Sequence, residues 1–124
     1  NVIFLGSKFN EKLIKEFHTA SCFVCPSLFE PWGLVVNEAL SSGLPVIATK
    51  HVGSSKDLIL DNNTGFIVNN MQEFGSKMVQ LYNDNNLLKE YSYNATNLMK
   101  SKWNYSLYEK QLSSVISKIN TNNI

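Results

Sequence analysis

The run from Pro45 to Thr49, PVIAT, is apolar at every position except the last. A strand with one wet face alternates apolar and polar residues, so a continuous apolar run means both faces are covered. Just before it, Leu34 to Ser42 carries Leu34, Val35, Ala39 and Leu40 at helical spacing, and Gly43 ends that helix. Before the helix, Cys22 to Cys25 is another apolar strand, stopped by Pro26. A strand, a helix and a second buried strand in that order make a parallel pair joined by a crossover. The stretch from Pro26 to Thr49 thus confines the chain to the α/β class.

The rest of the chain extends the same alternation. Asn1 to Gly6 (NVIFLG) reads as a buried strand ended by glycine, and Asn10 to Thr19 as a helix with apolar Leu13, Ile14 and Phe17 and Asn10 as N-cap. Lys50 to Ser55 is a loop containing Gly53. A short helix near Lys56 to Leu60, a turn from Asp61 to Gly65 and a strand from Phe66 to Val68 follow. After Asn70 the pattern is helical only. Three apolar stripes are expected to face the core: Met71, Phe74, Met78 and Tyr82; Leu88, Tyr91, Ala95 and Leu98; Tyr108, Leu112, Val115 and Ile119. Asn83 to Asn86 and Trp103 to Tyr105 separate these helices, and the tail from Asn120 is polar. The fold expected is a Rossmann-like parallel sheet of about four short strands covered by helices, with a helical C-terminal segment.

The 124 residues suffice for one modest domain, spanning 1–124. With 44% hydrophobic and 17% charged residues a folded core is expected. A net charge of +1 offers no field for wrapping nucleic acid or coating an anionic membrane. No apolar run approaches the roughly 20 residues of a membrane span. NVIFLG lacks the charged start and cleavage site of a signal peptide, and the first residue is not Met, so a piece of a longer protein is expected. Cys22 and Cys25 have C-x-x-C spacing, but no second Cys or His pair follows at zinc-site spacing, and a redox pair would open a helix rather than sit in a strand. Buried, reduced cysteines in a cytoplasmic protein are the reading favoured here.

The chemistry centres on the same stretch. A helix starting near Leu34 leaves its first amides without intrahelical acceptors, and these attract phosphate. Gly33 allows close approach to the backbone, and Pro31 stiffens the entry. A carboxylate repels phosphate, so Glu30 and Glu38 need other partners, and sugar hydroxyls donating to both carboxylate oxygens suit them. Glu38, about one turn inside the helix, could reach a ribose. Glu30, in the loop, could reach the sugar at the other end of a pyrophosphate. Two surface glutamates with no ligand are the bland alternative.

Glu30 to Glu38, EPWGLVVNE, with Pro26-Ser27 before it and Ala39-Leu40 and Gly43 to Thr49 after it, resembles the C-terminal domain of retaining glycosyltransferases of the GT-B fold, glycosyltransferase family 4. Asp57 to Ile59, Thr64 to Val68 and Trp103 to Tyr105 extend the resemblance over essentially the whole chain. It implies a donor-binding fragment that transfers a sugar, hexosyltransferase fashion, from a nucleotide-diphosphate sugar to a glycan or lipid-linked acceptor in bacterial surface polysaccharide synthesis. Glu30 would contact the donor sugar near the reacting carbon. The amides of Gly33, Leu34 and Val35 would hold the distal phosphate or sugar, and Glu38 the ribose. No metal or other cofactor is implied. The acceptor would be met by an N-terminal domain outside this chain, and the Arg and Lys that neutralise the pyrophosphate would lie in a strand-loop segment preceding it, so the chain alone is expected to be inactive. Val52-Gly53 departs from the family's frequent Gly-Gly. His51 is read as a solvated loop residue and His18 as surface or packing. The full-length protein would be cytoplasmic, or at the cytoplasmic face of the membrane.

The resemblance also implies a strand order of 3-2-1-4-5-6 with the first two strands absent. NVIFLG is then expected to shift beside the Cys22–Cys25 strand. The alternative is an exposed edge that self-associates with another chain. The function alternatives are a non-catalytic nucleotide-sugar binding or interaction module, and another GT-B enzyme such as a sugar epimerase.

Overall fold

The computed structural model describes residues 2–60 and 62–121. Asn1, Asp61 and residues 122–124, where the expected first strand, the turn and the tail begin or end, lie outside them. The element order is α1 (Glu11–Thr19), β1 (Phe23–Cys25), α2 (Leu34–Ser41), β2 (Val46–Thr49), α3 (Ser55–Leu58), β3 (Gly65–Val68), α4 (Met71–Asn83), α5 (Asn85–Lys102) and α6 (Tyr105–Thr121). The strands form one parallel sheet in the order β1-β2-β3. Phe23 faces Val46 in register, and Val46 in turn faces Gly65.

β2 is central and wholly buried, as its unbroken apolar run requires. Its residues alternate between the two faces of the sheet. Val46 and Ala48 join Val36, Ala39, Leu40, Leu58, Ala95 and Met99 on one side. Ile47 joins Phe66, Val68, Phe74, Leu81 and Tyr91 on the other. Burying each large aliphatic side chain here contributes about 1.5–3 kcal/mol. At the end of α2, Leu44 N–H donates to Ala39 O at 3.0 Å and Gly43 N–H to Leu40 O at 3.0 Å, which closes a Schellman motif. Asn70 caps α4 by accepting from Glu73 N–H at 2.9 Å, and the Glu73 carboxylate accepts from Asn69 N–H at 2.7 Å. α1 begins after Asn10 as expected, but the Asn10 side chain makes no capping bond.

Four expectations are corrected. Among the described residues the sheet has three strands rather than about four: residues 2–9 have no regular structure, and Phe4 is 94% exposed. The shift of NVIFLG beside β1 does not occur. A β-rich run becomes a strand only when it pairs with a sheet edge and lies on an apolar face, and residues 2–5 pair with neither edge of the sheet and are exposed. In α4, Phe74 and Leu81 are buried while Met71, Met78 and Tyr82 are exposed, because β2 and β3 lie under the Phe74–Leu81 side. In α6, Tyr108, Leu112, Val115 and Ile119 are exposed, and no described side chain of that helix is buried. The second stripe is as expected, with Tyr91, Ala95 and Leu98 buried and Leu88 half-buried. Both cysteines carry free thiols: Cys25 is buried, Cys22 half-buried, and burial pushes the Cys22 thiol pKa up.

The placement of residues 2–5 outside the sheet has a direct test. Phe4→Ser is expected to change the unfolding free energy in urea by less than about 0.5 kcal/mol. Ile47→Ala is expected to cost about 2–5 kcal/mol. A Phe4→Ser cost approaching that of Ile47→Ala would mean that the segment pairs into the sheet.

Candidate functional site

Parallel pairing places the carboxyl ends of β1 and β2 side by side, so the loops leaving Cys25 and Thr49 start as neighbours. They then remain joined. The Glu30 N–H donates to His51 O at 3.1 Å, the Gly53 N–H to Glu30 O at 2.8 Å, and the Ser54 N–H to Trp32 O at 2.9 Å. Glu30 and Val52 thereby form an isolated parallel bridge. The Thr49 hydroxyl donates to Ser27 O at the base of the same loop pair. The approach demands glycine at position 53, because a Cβ there would stand 1.9 Å from Pro31 O.

The loop ends at Gly33, whose φ of +85° is the left-handed region in which L side chains are strained. That turn launches α2. Val36 N–H donates back to Gly33 O at 2.9 Å. Among the described residues the amides of Gly33, Leu34 and Val35 have no backbone acceptor. The first turn of α2 contains no acidic residue to offset the positive end of its dipole. Trp32 lies alongside, its Nε1–H donating to Asn37 Oδ1 at 3.0 Å. Its ring also meets Trp103 at 6.0 Å between centroids, which ties the loop to the junction of α5 and α6. Beyond that contact lies a cleft lined by Asp57, Trp103, Tyr105 and Tyr108.

Glu30 is half-buried and Glu38 exposed, and neither carboxylate has a hydrogen bond or ion pair among the described residues. Glu38 follows Leu34 by four residues, so both occupy the exposed side of α2, one above the other. The structure therefore gathers Glu30, Gly33, Leu34 and Val35 at the carboxyl end of the sheet, with Glu38 one turn along the helix. His51 contributes its carbonyl, and its side chain is exposed. His18 is exposed in the last turn of α1. Among the described residues no group of three or more His, Cys, Asp or Glu is placed to hold a metal ion. The Trp32–Asn37 bond, the Glu30–Val52 bridge and the burial of Ser54 beneath Gly33 were not anticipated from sequence. Gly53 in the loop after β2 was the one available signal for the close approach.

A family model described as glycosyl transferases group 1 matches residues 1–98. The chain belongs to that family. This glycosyltransferase domain is 32% identical over 123 residues to a sucrose synthase of Denitrovibrio acetiphilus, covering 90% of the chain and 16% of that protein's length. The C-terminal domain of LpcC, a glycosyl transferase group 1 family protein of Francisella tularensis, superposes with a TM-score of 0.69 at 30% identity, over 82% of this chain and 53% of that one. HepE of Anabaena, solved in complex with UDP, superposes with a TM-score of 0.79 at 21% identity, over 89% of this chain and 31% of that one. The fold is that of the C-terminal domains of GT-B glycosyltransferases.

The loop junction gives a sharp expectation. Gly53→Ala forces Pro31 and residue 53 apart and is expected to cost at least about 2 kcal/mol in urea unfolding. His51→Ala, beside it, is expected to stay within about 0.5 kcal/mol. Equal effects would contradict the close approach.

Proposed function

We propose that this domain is the donor-binding part of a retaining glycosyltransferase of family 4. In the longer protein it serves transfer of a hexose from a nucleotide-diphosphate sugar to a glycan or lipid-linked acceptor. The observation that carries this is the unneutralised start of α2 at the carboxyl end of a parallel sheet, flanked by two carboxylates with no partner among the described residues. Open α/β sheets bind ligands at that end.

The division of labour follows from charge. The amides of Gly33, Leu34 and Val35 face the distal phosphate or the sugar oxygen next to it. Glu38, one turn away on the exposed side, accepts from both ribose hydroxyls. Glu30, in the loop, accepts from hydroxyls of the transferred sugar. Each carboxylate thus meets donors rather than phosphate, and such charge-assisted bonds are about twice as strong as neutral ones. Stabilising a leaving diphosphate also needs cations. Those are assigned to a segment preceding this chain, and the acceptor site to an N-terminal domain, so the chain alone binds donor at best weakly and does not transfer it. No bound metal is needed for donor binding.

The relatives support a sugar-nucleotide ligand. HepE has been solved with UDP, with UDP-glucose, and with UDP and glucose. WaaG, a structural neighbour at a TM-score of 0.71, takes part in lipopolysaccharide biosynthesis. A role in bacterial surface polysaccharide synthesis, at the cytoplasmic side of the membrane, is the setting proposed. Among the described residues no helix is long and apolar enough to cross a membrane.

Calorimetry with UDP-glucose and GDP-mannose tests the reading. One of the two should bind in the presence of EDTA. Glu38→Ala should weaken it about ten- to one-hundred-fold, the loss of a charged hydrogen-bonding pair. Binding that is indifferent to Glu38, or absent for both donors, would sink the assignment.

A further inference from the structure

Ser54 stands at the N-terminal boundary of α3. A serine there ordinarily adopts extended backbone and accepts from an amide of the first turn. Ser54 does neither: its φ is −73° and ψ −7°, and its side chain makes no capping bond. It is 0% exposed, and its hydroxyl has no hydrogen-bond partner among the described residues. Folded chains seldom bury a hydroxyl unpaired, because water would have satisfied it.

Its location suggests what the hydroxyl is kept for. Ser54 Oγ lies 3.7 Å from the point where a Cβ on Gly33 would stand, and Glu30 Cγ lies 3.1 Å from the same point. The hydroxyl and the Glu30 side chain thus border the same space beside Gly33, the residue before α2. The backbone holds them there, through Gly53 N–H to Glu30 O at 2.8 Å and Ser54 N–H to Trp32 O at 2.9 Å. One group is a donor without an acceptor. The other is a carboxylate without a partner among the described residues.

We infer that Ser54 is a positioning residue for Glu30: by turning about its single rotatable side-chain bond, its hydroxyl donates to the Glu30 carboxylate and holds it toward the sugar end of a bound nucleotide-sugar. A hydroxyl bonded to an ionised carboxylate is the strong, short kind of hydrogen bond, and burial keeps water from competing for it. Ser54 touches neither the nucleotide nor the phosphates, and acts through Glu30 alone. The inference rests on the proposed contact between Glu30 and the donor sugar.

The test is a double-mutant cycle read by calorimetry on the whole chain, with UDP and with UDP-glucose as separate probes. Ser54→Ala should weaken UDP-glucose at least about five-fold more than it weakens UDP. In a Glu30→Ala background the same substitution should change UDP-glucose affinity less than about two-fold. Ser54→Gly, which removes the hydroxyl with a different effect on packing, should reproduce the same split. Equal weakening of both ligands, or losses from Ser54 and Glu30 that simply multiply, would overturn the positioning role while leaving the donor site intact. A wild-type chain that binds neither probe would overturn the donor site, and this inference with it.

Discussion

The candidate site depends on a short exchange of backbone hydrogen bonds, in which residues 30–32 pair with residues 51–54. Each such bond contributes about 1 kcal/mol net. Ordering a loop residue costs about 1–2 kcal/mol of conformational entropy, so the bonds alone do not offset the ordering of the loop. Other contacts close the difference. Val52 is buried in the main core, and Trp32 is fixed by Asn37 on one side and Trp103 on the other. Together these make the loop an outgrowth of the sheet. The Glu30 backbone then has one position, Gly33 has one conformation, and the start of α2 presents its amides at one place.

The parallel β1–β2 pair is the precondition for that exchange, and it was legible. An unbroken apolar run at Pro45 to Thr49 has no other way to be buried on both faces. The helix before it, with Gly43 at its end, fixes the direction of the crossover. Tyr91, Ala95 and Leu98 were legible for the same reason, since α5 packs along α2 and its stripe has an opposing surface. Glu30, Gly33 and Glu38 were legible because the chemistry lies in residue type and spacing along a helix start.

Where reading failed, the missing information was the neighbour rather than the pattern. NVIFLG has the composition of a strand, yet residues 2–6 form none. The stripe of Tyr108, Leu112, Val115 and Ile119 has helical period and the helix is real, but nothing described here covers that face. In α4 the period was right and the choice of face was wrong by a fraction of a turn, because the sheet beneath reaches Phe74 and Leu81. At the site, the bridge between Glu30 and Val52 and the burial of Ser54 join residues far apart in sequence, through backbone atoms every residue possesses. Gly53 is the one residue type along the chain that marks such a contact.

Backbone amides at the start of α2 are the part of the account that no side-chain substitution isolates. Amide chemical-shift perturbation does isolate them. Titrating the 15N-labelled chain with UDP should shift the Gly33, Leu34 and Val35 resonances most, with smaller changes near Glu38 and little change in α6. Saturable shifts centred elsewhere, or none at millimolar UDP, would contradict the placement of a nucleotide diphosphate at this helix.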